Sequence, residues 1–315
     1  MIGPQSLAEM FGAGAVDTFL GLPACVEPTT LDASIALLGA PCVTPYPSVG
    51  PYCAGAPAAI RAAIAPYAAS AHHMDFDLGR PIFPDGCSRA VDCGDLPYSE
   101  TDFAANRARL QGRVETLLER GAVPVLLGGD DSAPIPLIAA YGGRGPLTIL
   151  QIDAHIDWRD EVDGERHGLS SNMRRASEMS HVERIVQVGQ WGIGSARQAD
   201  YEDALAWGVD FFPARGVHGN GIGPVLEAIP EGSQVLIAVD IDGLDPTVVP
   251  GVIGRGPGGL DYWQSVNLIH AVAAKARIAG FSLVEFMPQK DLDGLGALVA
   301  ARIIANVLGL LAVQP

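Results

Sequence analysis

The chain has 315 residues, of which 48% are apolar and 18% are charged, enough for one large domain or two small domains with a buried core. It carries 20 Lys and Arg against 36 Asp and Glu, a formal net charge of −16. This acidity argues against nucleic acid as a partner, because nucleic-acid-binding proteins present a basic surface. It mildly favours a cationic small substrate through electrostatic steering, although the same charge can serve solubility alone.

Five cysteines lie in the first third of the chain, and none has the Cys-x-x-Cys spacing: Cys25, Cys42, Cys53, Cys87 and Cys93. Their odd number favours reduced thiols in a cytoplasmic protein. The beginning of the chain lacks a basic segment followed by an apolar run, so we expect no signal peptide. No apolar run reaches about 18 residues without a polar interruption, so we expect no membrane partner.

Short β-branched or Leu-rich runs alternate with longer Ala-rich amphipathic segments. The runs predict strands at residues 34–38, 122–127, 147–152, 184–188, 234–239 and 280–286. The amphipathic segments predict helices at residues 57–70, 102–120, 133–141, 170–179, 199–207, 221–228, 262–279 and 294–310. Runs such as LTILQI and VLIAV are typical of parallel strands covered on both faces. The alternation predicts an open α/β sheet with helices on both sides, in a single domain over residues 1–315.

Two long loops interrupt this alternation, at residues 39–56 and 158–167. The first is rich in Pro and Gly, and the second, WRDEVDGERH, is strongly charged. Because long loops in a compact α/β domain often carry function, we expect both to contribute to a binding site.

Acidic residues directly follow three of the predicted strands. The motifs are GGDDS at 128–132, DAHID at 153–157 and DIDGLDP at 240–246. Ligands bind at the carboxyl ends of the strands in an open α/β sheet, so the three motifs are expected to meet in one crevice.

The spacing within these motifs favours a metal site. Alternate positions place Asp153, His155 and Asp157 on one side of an extended stretch, and the same holds for Asp240 and Asp242. At least five carboxylates in one pocket repel each other strongly unless cations neutralise them. Oxygen-rich ligands with some imidazole suit a pair of Mn or Ni ions better than a structural Zn.

Simpler interpretations exist for some of these residues. Asp131 and Ser132 could cap the helix that begins near Pro134, and Asp245-Pro246 is an ordinary turn dipeptide. The acids that directly end the other apolar strands rarely lie there without a function.

Six ordered blocks resemble the ureohydrolase family, which includes arginases and agmatinases, and place the chain in its agmatinase-like branch. The blocks are GGDDS at 128–132, DAHID at 153–157, HGLSSNMRRA at 167–176, DIDGLDP at 240–246, PGVIGRGPGGL at 250–260 and LVEFMP at 283–288. The resemblance covers nearly the whole chain. It implies a three-layer α/β/α domain with a mainly parallel sheet, a trimer or hexamer, and two Mn or Ni ions per subunit.

The resemblance also implies roles for the metal ligands. Asp153 and Asp240 match carboxylates that bridge the two ions, and His155 and Asp242 match ligands of one ion. Asp157 matches a ligand of the other ion that also accepts a hydrogen bond from the bridging hydroxide.

Three more residues take roles from the resemblance. Asp131 occupies the position that is usually His in the family. His167 matches the proton-transfer His, and Glu285 matches the acid that orients the guanidinium. These roles are chemically coherent, because a guanidinium carbon needs a metal-activated hydroxide, an acid for the departing amine and a carboxylate to align the cation. A surface-loop role for His167 and a plain ion pair for Glu285 are the alternatives.

The implied reaction is hydrolysis of a C–N bond in a small cationic guanidino substrate, releasing urea or a urea derivative. The substrate could be agmatine-like, a guanidino acid, a biguanide or guanidine itself. The acidic side chains of the charged loop could hold a cationic tail or could simply be solvated: Asp160, Glu161, Asp163 and Glu165.

Departures from the family pattern motivate two other interpretations. Asp131 leaves the ligand set more negative, Val49-Gly50 stands near a usual Arg-Gly pair, and no Arg follows the middle strand at Gly189. The chain could therefore be a catalytically weak or silent subunit that supports an active paralogue. A mononuclear Zn deacetylase shares the fold and ranks last, because both Asp157 and Asp242 are present.

Overall fold

Eight strands form one sheet through the centre of the protein, in a computed structural model that describes residues 16–87 and 89–315. The strands are β1 Ile35–Ala40, β2 Ala90–Asp95, β3 Val123–Gly128, β4 Leu147–Ile152, β5 Val182–Val188, β6 Asp210–Phe212, β7 Gln234–Asp240 and β8 Arg277–Val284. Their order is β2-β1-β3-β8-β7-β4-β5-β6, and every neighbouring pair is parallel. The predicted parallel α/β sheet is confirmed, while the expectation for the beginning of the chain concerns residues 1–15, outside the described part.

The two outermost strands, β2 and β6, are absent from the sequence prediction. Both lie at an edge of the sheet, where a strand has a neighbour on one side only. β2 reads AVDCGD and β6 reads DFF, so neither shows the continuous apolar run that marks a strand covered on both faces.

The α-helices are Ala56–Ile64, Phe103–Glu119, Pro134–Ala139, Asn172–Ser177, Gln198–Trp207, Ala214–Asn220, Gly223–Ala228, Tyr262–Lys275 and Leu295–Ala312. Short 3₁₀ helices lie at Phe19–Gly21, Pro28–Thr30, Ala65–Ser70, Leu169–Ser171, Ile241–Gly243 and Pro288–Lys290. The helix Ala214–Asn220 was not predicted.

Two predicted helix boundaries are wrong. The α-helix expected over 57–70 ends at Ile64 and continues as the 3₁₀ segment Ala65–Ser70, which has a proline in its first turn. The helix expected over 262–279 ends at Lys275, and β8 already begins at Arg277. The Ala-rich sequence at this junction suits helix and strand alike, so periodicity does not separate the two.

Helices cover both faces of the sheet. One apolar cluster joins the helix Leu295–Ala312 to one face through residues such as Leu37. A second cluster joins the helix Phe103–Glu119 to the other face through residues such as Leu38. Adjacent strand residues thus point to opposite layers, which gives the expected three-layer arrangement.

The helix Leu295–Ala312 is long and apolar enough to cross a membrane by length and composition, with a mean hydropathy of 2.0. However, 72% of it is buried inside the protein. It packs against the helix Ala56–Ile64 and β8, so it serves as a core helix of the α/β/α sandwich.

The strand order places three acidic motifs side by side. β3, β8, β7 and β4 are consecutive neighbours at the centre of the sheet, and all run in the same direction. Their carboxyl ends therefore open on one edge of the sheet, where parallel α/β proteins bind ligands.

Candidate metal centre

The residues after β4 turn sharply instead of continuing the strand. β4 ends at Ile152, and the fully buried Asp153 begins the turn. Asp157 has a φ of 44°, in the left-handed region, so the extended geometry expected for DAHID is wrong. The turn itself gathers the side chains, since His155 donates its backbone N–H to Asp153 Oδ1 at 2.6 Å and holds Nδ1 3.4 Å from the same oxygen.

The residues after β7 also form a turn. β7 ends at Asp240, and the 3₁₀ segment Ile241–Gly243 follows it, so alternation does not orient these acids either. The backbone N–H of Asp242 donates to Asp240 Oδ1 at 2.8 Å. A Cβ at Gly243 would lie 2.8 Å from the backbone N and Cα of Asp153, so only glycine lets the two acidic turns approach.

The acids after β3 have separate tasks. Asp130 accepts a hydrogen bond from the backbone N–H of Val43 at 2.8 Å and so fixes the Pro-rich loop against β3. Asp131 is buried among the other acids. Within the described residues, the helix Pro134–Ala139 receives no side-chain cap, so the capping role considered for Asp131 and Ser132 is wrong.

Asp245 belongs to a turn, as its Asp-Pro sequence predicts. Its Oδ1 accepts the backbone N–H of Thr247 at 3.0 Å, and its Oδ2 accepts that of Gly258 at 2.8 Å. These bonds fix the loop after the acidic motif and leave Asp245 a structural role.

The buried acids form two groups with metal-ligand geometry that share Asp153. One group is Asp153, His155 and Asp242, and the other is Asp131, Asp153 and Asp240; within each group the ligand atoms all lie within 4.8 Å of one another. One carboxylate common to two groups is the arrangement that a pair of bridged ions requires. Asp157 is buried beside them without belonging to either group.

The electrostatics of this cluster call for cations. Burial, followed by repulsion from neighbouring carboxylates, raises the pKa of Asp131, Asp153 and Asp240 well above the usual range. Bonds to Asp153 and Asp242 outweigh burial and raise the pKa of His155 to about 12. Among the described residues, no Lys or Arg pairs with these carboxylates. The donor set therefore fits two divalent ions.

Two buried amides that sequence reasoning missed support the acids. Gln151 Nε2 donates to Asp153 Oδ2 at 2.5 Å and to Asp157 Oδ2 at 3.0 Å. Asn172 Nδ2 donates to the carboxylate of Asp131 and, at 3.3 Å, to Asp157 Oδ2. Such outer partners orient metal ligands. Gln151 lies inside an apolar strand run, where a polar residue is itself a signal.

Glu285 lies directly after β8 and faces the same space. Its φ of 65° is left-handed, an uncommon conformation that often marks functional residues. Tyr52 donates its hydroxyl to Glu285 Oε1, and the backbone N–H of Asp131 donates to the same oxygen at 2.8 Å. Burial outweighs these bonds and raises the pKa of Glu285 to about 8. Tyr52, another missed residue, lies in the Pro-rich loop that was expected to be functional.

A cavity of about 310 Å³ joins the acidic cluster to Glu285. Its lining includes Tyr52, Asp131, His155, Asp157, Asp240, Asp242 and Glu285. Val49, which stands near the usual Arg position of the ureohydrolase pattern, also lines it. The charged side chains that complete the wall are Arg159 and Asp200, with Arg159 Nε 3.4 Å from Asp200 Oδ2.

His167 and part of the charged loop lie apart from this cavity. His167 is not among the lining residues, and its side chain is 44% exposed. Burial and the nearby Arg107 lower the pKa of its imidazole. Asp160 pairs with Arg175 at 2.7 Å, and Glu165 Oε1 accepts the backbone N–H of His167 at 2.7 Å, so both loop acids already have partners.

Comparisons with known proteins agree with this architecture. The model of the family described as "Arginase family" matches residues 33–309. Mitochondrial arginase 1 of Arabidopsis thaliana is 34% identical over 229 residues, 69% of this chain and 65% of that enzyme. N(1)-aminopropylagmatine ureohydrolase of Thermus thermophilus is 33% identical over 200 residues, 62% of this chain and 65% of that protein. The chain thus matches about two thirds of the length of these curated relatives.

Solved structures extend the similarity over nearly the whole chain. Proclavaminate amidino hydrolase from Streptomyces clavuligerus superimposes with a TM-score of 0.83 and 26% identity, covering 95% of this chain and 98% of that one. The fold and the paired ligand groups define an α/β/α protein with a buried acidic cluster that could hold metal ions. The chain belongs to the arginase family, whose members named above are an arginase, a ureohydrolase and an amidino hydrolase.

Proposed function

We propose that the protein is a binuclear-metal amidinohydrolase that cleaves a C–N bond of a guanidino compound and releases urea or a urea derivative. The observation that carries the proposal is the pair of ligand groups sharing Asp153, in contact with a cavity that Glu285 also lines. Family membership supports this function, and the charge balance of the cluster supports two ions rather than one.

The chain supplies most of the chemistry through fixed groups. Asp153 with the other acidic ligands and His155 would hold two divalent ions, and the chemistry that such ions would supply is a hydroxide nucleophile near neutral pH. Asp157, held by the amides of Gln151 and Asn172, would orient that nucleophile. Glu285, fixed by the hydroxyl of Tyr52, would align the planar guanidinium through paired hydrogen bonds.

The reaction also needs a proton donor for the departing amine, and His167 is our candidate, because an imidazole can give up and take back a proton in water. Its side chain is half-exposed outside the cavity lining, so it would reach the substrate through movement of the charged loop. Replacing His167 with Asn should lower kcat far more than it raises KM.

The cavity wall favours a substrate with a neutral or anionic tail. Arg159 lines the cavity, and Asp200, which also lines it, is held at 2.6 Å by Arg197 and only at 3.4 Å by Arg159. Asp160 is engaged by Arg175, so it does not offer a free site for a cationic tail. A guanidino acid therefore fits this wall better than an agmatine-like amine.

Urea release from matched substrates tests the function and the tail together. The metal-stripped full chain would be reconstituted with Mn or Ni and offered 4-guanidinobutanoate, butylguanidine and agmatine, which share a four-carbon chain. We expect urea from at least the first two. Arg159→Gln should lower the ratio of activity with 4-guanidinobutanoate to activity with butylguanidine. Arg89→Gln, at an exposed arginine outside the cavity lining, should leave this ratio unchanged. No urea from any guanidino compound with two bound ions would overturn the proposal.

A catalytically silent subunit is the second candidate, and the position of His167 outside the cavity lining favours it. In that case the purified chain would release no urea alone, and activity would appear only on mixing with a paralogous ureohydrolase. An active chain in isolation would exclude this alternative.

A further inference from the structure

The two ligand groups of the centre have different chemistry. The group of Asp153, His155 and Asp242 contains one imidazole nitrogen. The group of Asp131, Asp153 and Asp240 contains carboxylate oxygens only. Asp153 is common to both, so the contrast between the two positions comes from His155 on one side and Asp131 on the other.

Asn172 contacts the all-carboxylate position through Asp131, and it also donates to Asp157 Oδ2 at 3.3 Å. It is completely buried, and its Nδ2 donates both to the Asp131 carboxylate and to the Asp131 backbone carbonyl, the latter at 2.9 Å. Its Oδ1 is a buried acceptor without a partner among the described residues. Because the amide is tied through its nitrogen to the backbone and side chain of one residue, it fixes the orientation of the Asp131 carboxylate.

We propose that the two metal positions are unequal: the ratio of Ni to Mn affinity is lower at the Asp131 position and higher at the His155 position. The proposal rests on the binuclear centre of the proposed function. Carboxylate oxygens suit Mn and Mg, whereas imidazole suits Ni. Nitrogen and oxygen sites both bind Ni more tightly than Mn, so the measurable difference is the ratio of Ni to Mn affinity at each position.

Calorimetric titration of the metal-stripped full chain with Ni²⁺ or Mn²⁺ measures this ratio directly. We expect two Ni phases that differ in dissociation constant by at least about tenfold, and two Mn phases that lie closer together. After addition of one equivalent of Ni, a second equivalent of Mn should bind with an affinity close to that of the Mn phases measured without Ni. Equal spacing of the phases for both metals would overturn the inference.

Substitution of Asp131 assigns the weaker Ni phase to its position. Asp131→His adds an imidazole to the all-carboxylate group. It should reduce the ratio of the two Ni dissociation constants by at least about tenfold. Asp163→His adds an imidazole at an exposed residue of the charged loop and serves as the control. If both variants shift the Ni phases alike, or neither does, the assignment fails.

Substitution of Asn172 tests its part independently of turnover. Asn172→Ala should weaken metal binding at the Asp131 position by about 10- to 100-fold. It should change the dissociation constant of the tight phase by no more than a few-fold. The neighbouring Ser171, also buried and with an unpartnered hydroxyl among the described residues, gives the control Ser171→Ala. In the Asp131→His background the effect of Asn172→Ala should become smaller, because the contact with the Asp131 carboxylate is already lost while those with the residue-131 carbonyl and Asp157 remain. An undiminished effect would show that Asn172 does not act through the Asp131 carboxylate.

The failures of this inference and of the proposed function are distinguishable. A chain that binds fewer than two ions of either metal contradicts the binuclear centre itself. A chain that binds two ions with the same Ni-to-Mn ratio at both positions contradicts only the inequality.

Discussion

Two groups of buried acids lie at the sheet, and they differ in how their charge is balanced. At the edge strand β2, Asp92 receives Nε and Nη2 of Arg61 at 2.7 and 2.9 Å, and both side chains are buried. Burial alone would raise the pKa of Asp92, but the bonds from Arg61 outweigh it and lower that pKa. At the central strands, His155 is the one cationic partner of the clustered acids among the described residues, and the pKa of Asp153 is still raised well above its usual range.

The difference separates a structural acid from a functional one. Asp92 and Arg61 complete each other, so nothing further needs to bind there. The central cluster keeps several like charges out of water and so stays unstable in its ionised form until cations arrive. Strained backbone at Asp157 and Glu285 points the same way, because such strain persists mainly at working sites.

The largest expected effect comes from Asp240→Asn, which removes one charge of the central cluster while its Oδ1 can still accept the N–H of Asp242. Asp240 belongs to the all-carboxylate ligand group, so this variant should lose at least one bound ion. We expect urea release to fall by about a thousandfold or more, roughly 4 kcal/mol of transition-state stabilisation. Metal content by mass spectrometry and a urea assay measure both effects.

The next effect is a change in the free energy of unfolding that has opposite signs in the two groups of buried acids. Asp92→Asn removes the buried carboxylate that pairs with Arg61 and leaves that guanidinium with the partly exposed Asp95, so it should cost about 3 kcal/mol of folding free energy. Asp240→Asn in metal-free protein should instead stabilise the fold by about 1 kcal/mol, because it relieves repulsion. Urea denaturation of both variants in chelator makes the comparison. If Asp240→Asn destabilises the metal-free fold as strongly as Asp92→Asn does, the contrast is wrong.

A pH series separates the groups again. Raised pKa values of Asp131, Asp153 and Asp240, with that of Glu285 at about 8, mean that the folded protein binds protons which the unfolded chain releases. Metal-free protein should therefore lose stability as pH rises from about 4.5 to 8. Asp92 acts oppositely, and its contribution is lost only as pH falls through its lowered pKa. The increase in melting temperature that metal causes should become larger between about pH 5 and 8. An increase that is the same at every pH would contradict raised pKa values in the acidic cluster.

The smallest effect concerns Glu285, which is held by neutral donors rather than by a cation. Tyr52→Phe removes the hydroxyl that donates to Glu285 Oε1. Loss of one hydrogen bond to a charged group should lower kcat/KM by about tenfold, mostly through KM, with metal content unchanged. Tyr46→Phe, at another cavity-lining tyrosine, is the matched comparison. A change in bound metal would show that Tyr52 supports the ion centre instead.

The sequence predicts the central sheet well because buried parallel strands are continuous apolar runs. The same logic fails at β2 and β6, where edge strands carry polar residues. It also fails at the junction after Lys275, where Ala-rich sequence suits helix and strand alike. The sequence prediction therefore fails at strands that have a neighbour on one side only, and where the residues have similar propensities for helix and strand.

The ligand acids were predicted as a set, although for a partly wrong reason. Strand ends bring DAHID and DIDGLDP together, but turns rather than alternation aim the side chains. The supporting roles of Asn172 and Tyr52 could not be predicted, although Asn172 lies within the HGLSSNMRRA block, because their contacts with Asp131 and Glu285 join distant parts of the chain. The separation of His167 from the cavity likewise depends on loop geometry, which a motif does not specify.

The most direct test of the account is the number of divalent ions that the metal-stripped chain binds at saturating Mn, compared with Asp240→Asn under the same conditions. The account predicts two ions per chain for the natural sequence and at most one for the variant. Fewer than two ions in the natural chain, or an equal number in both proteins, would contradict a binuclear centre built on these carboxylates.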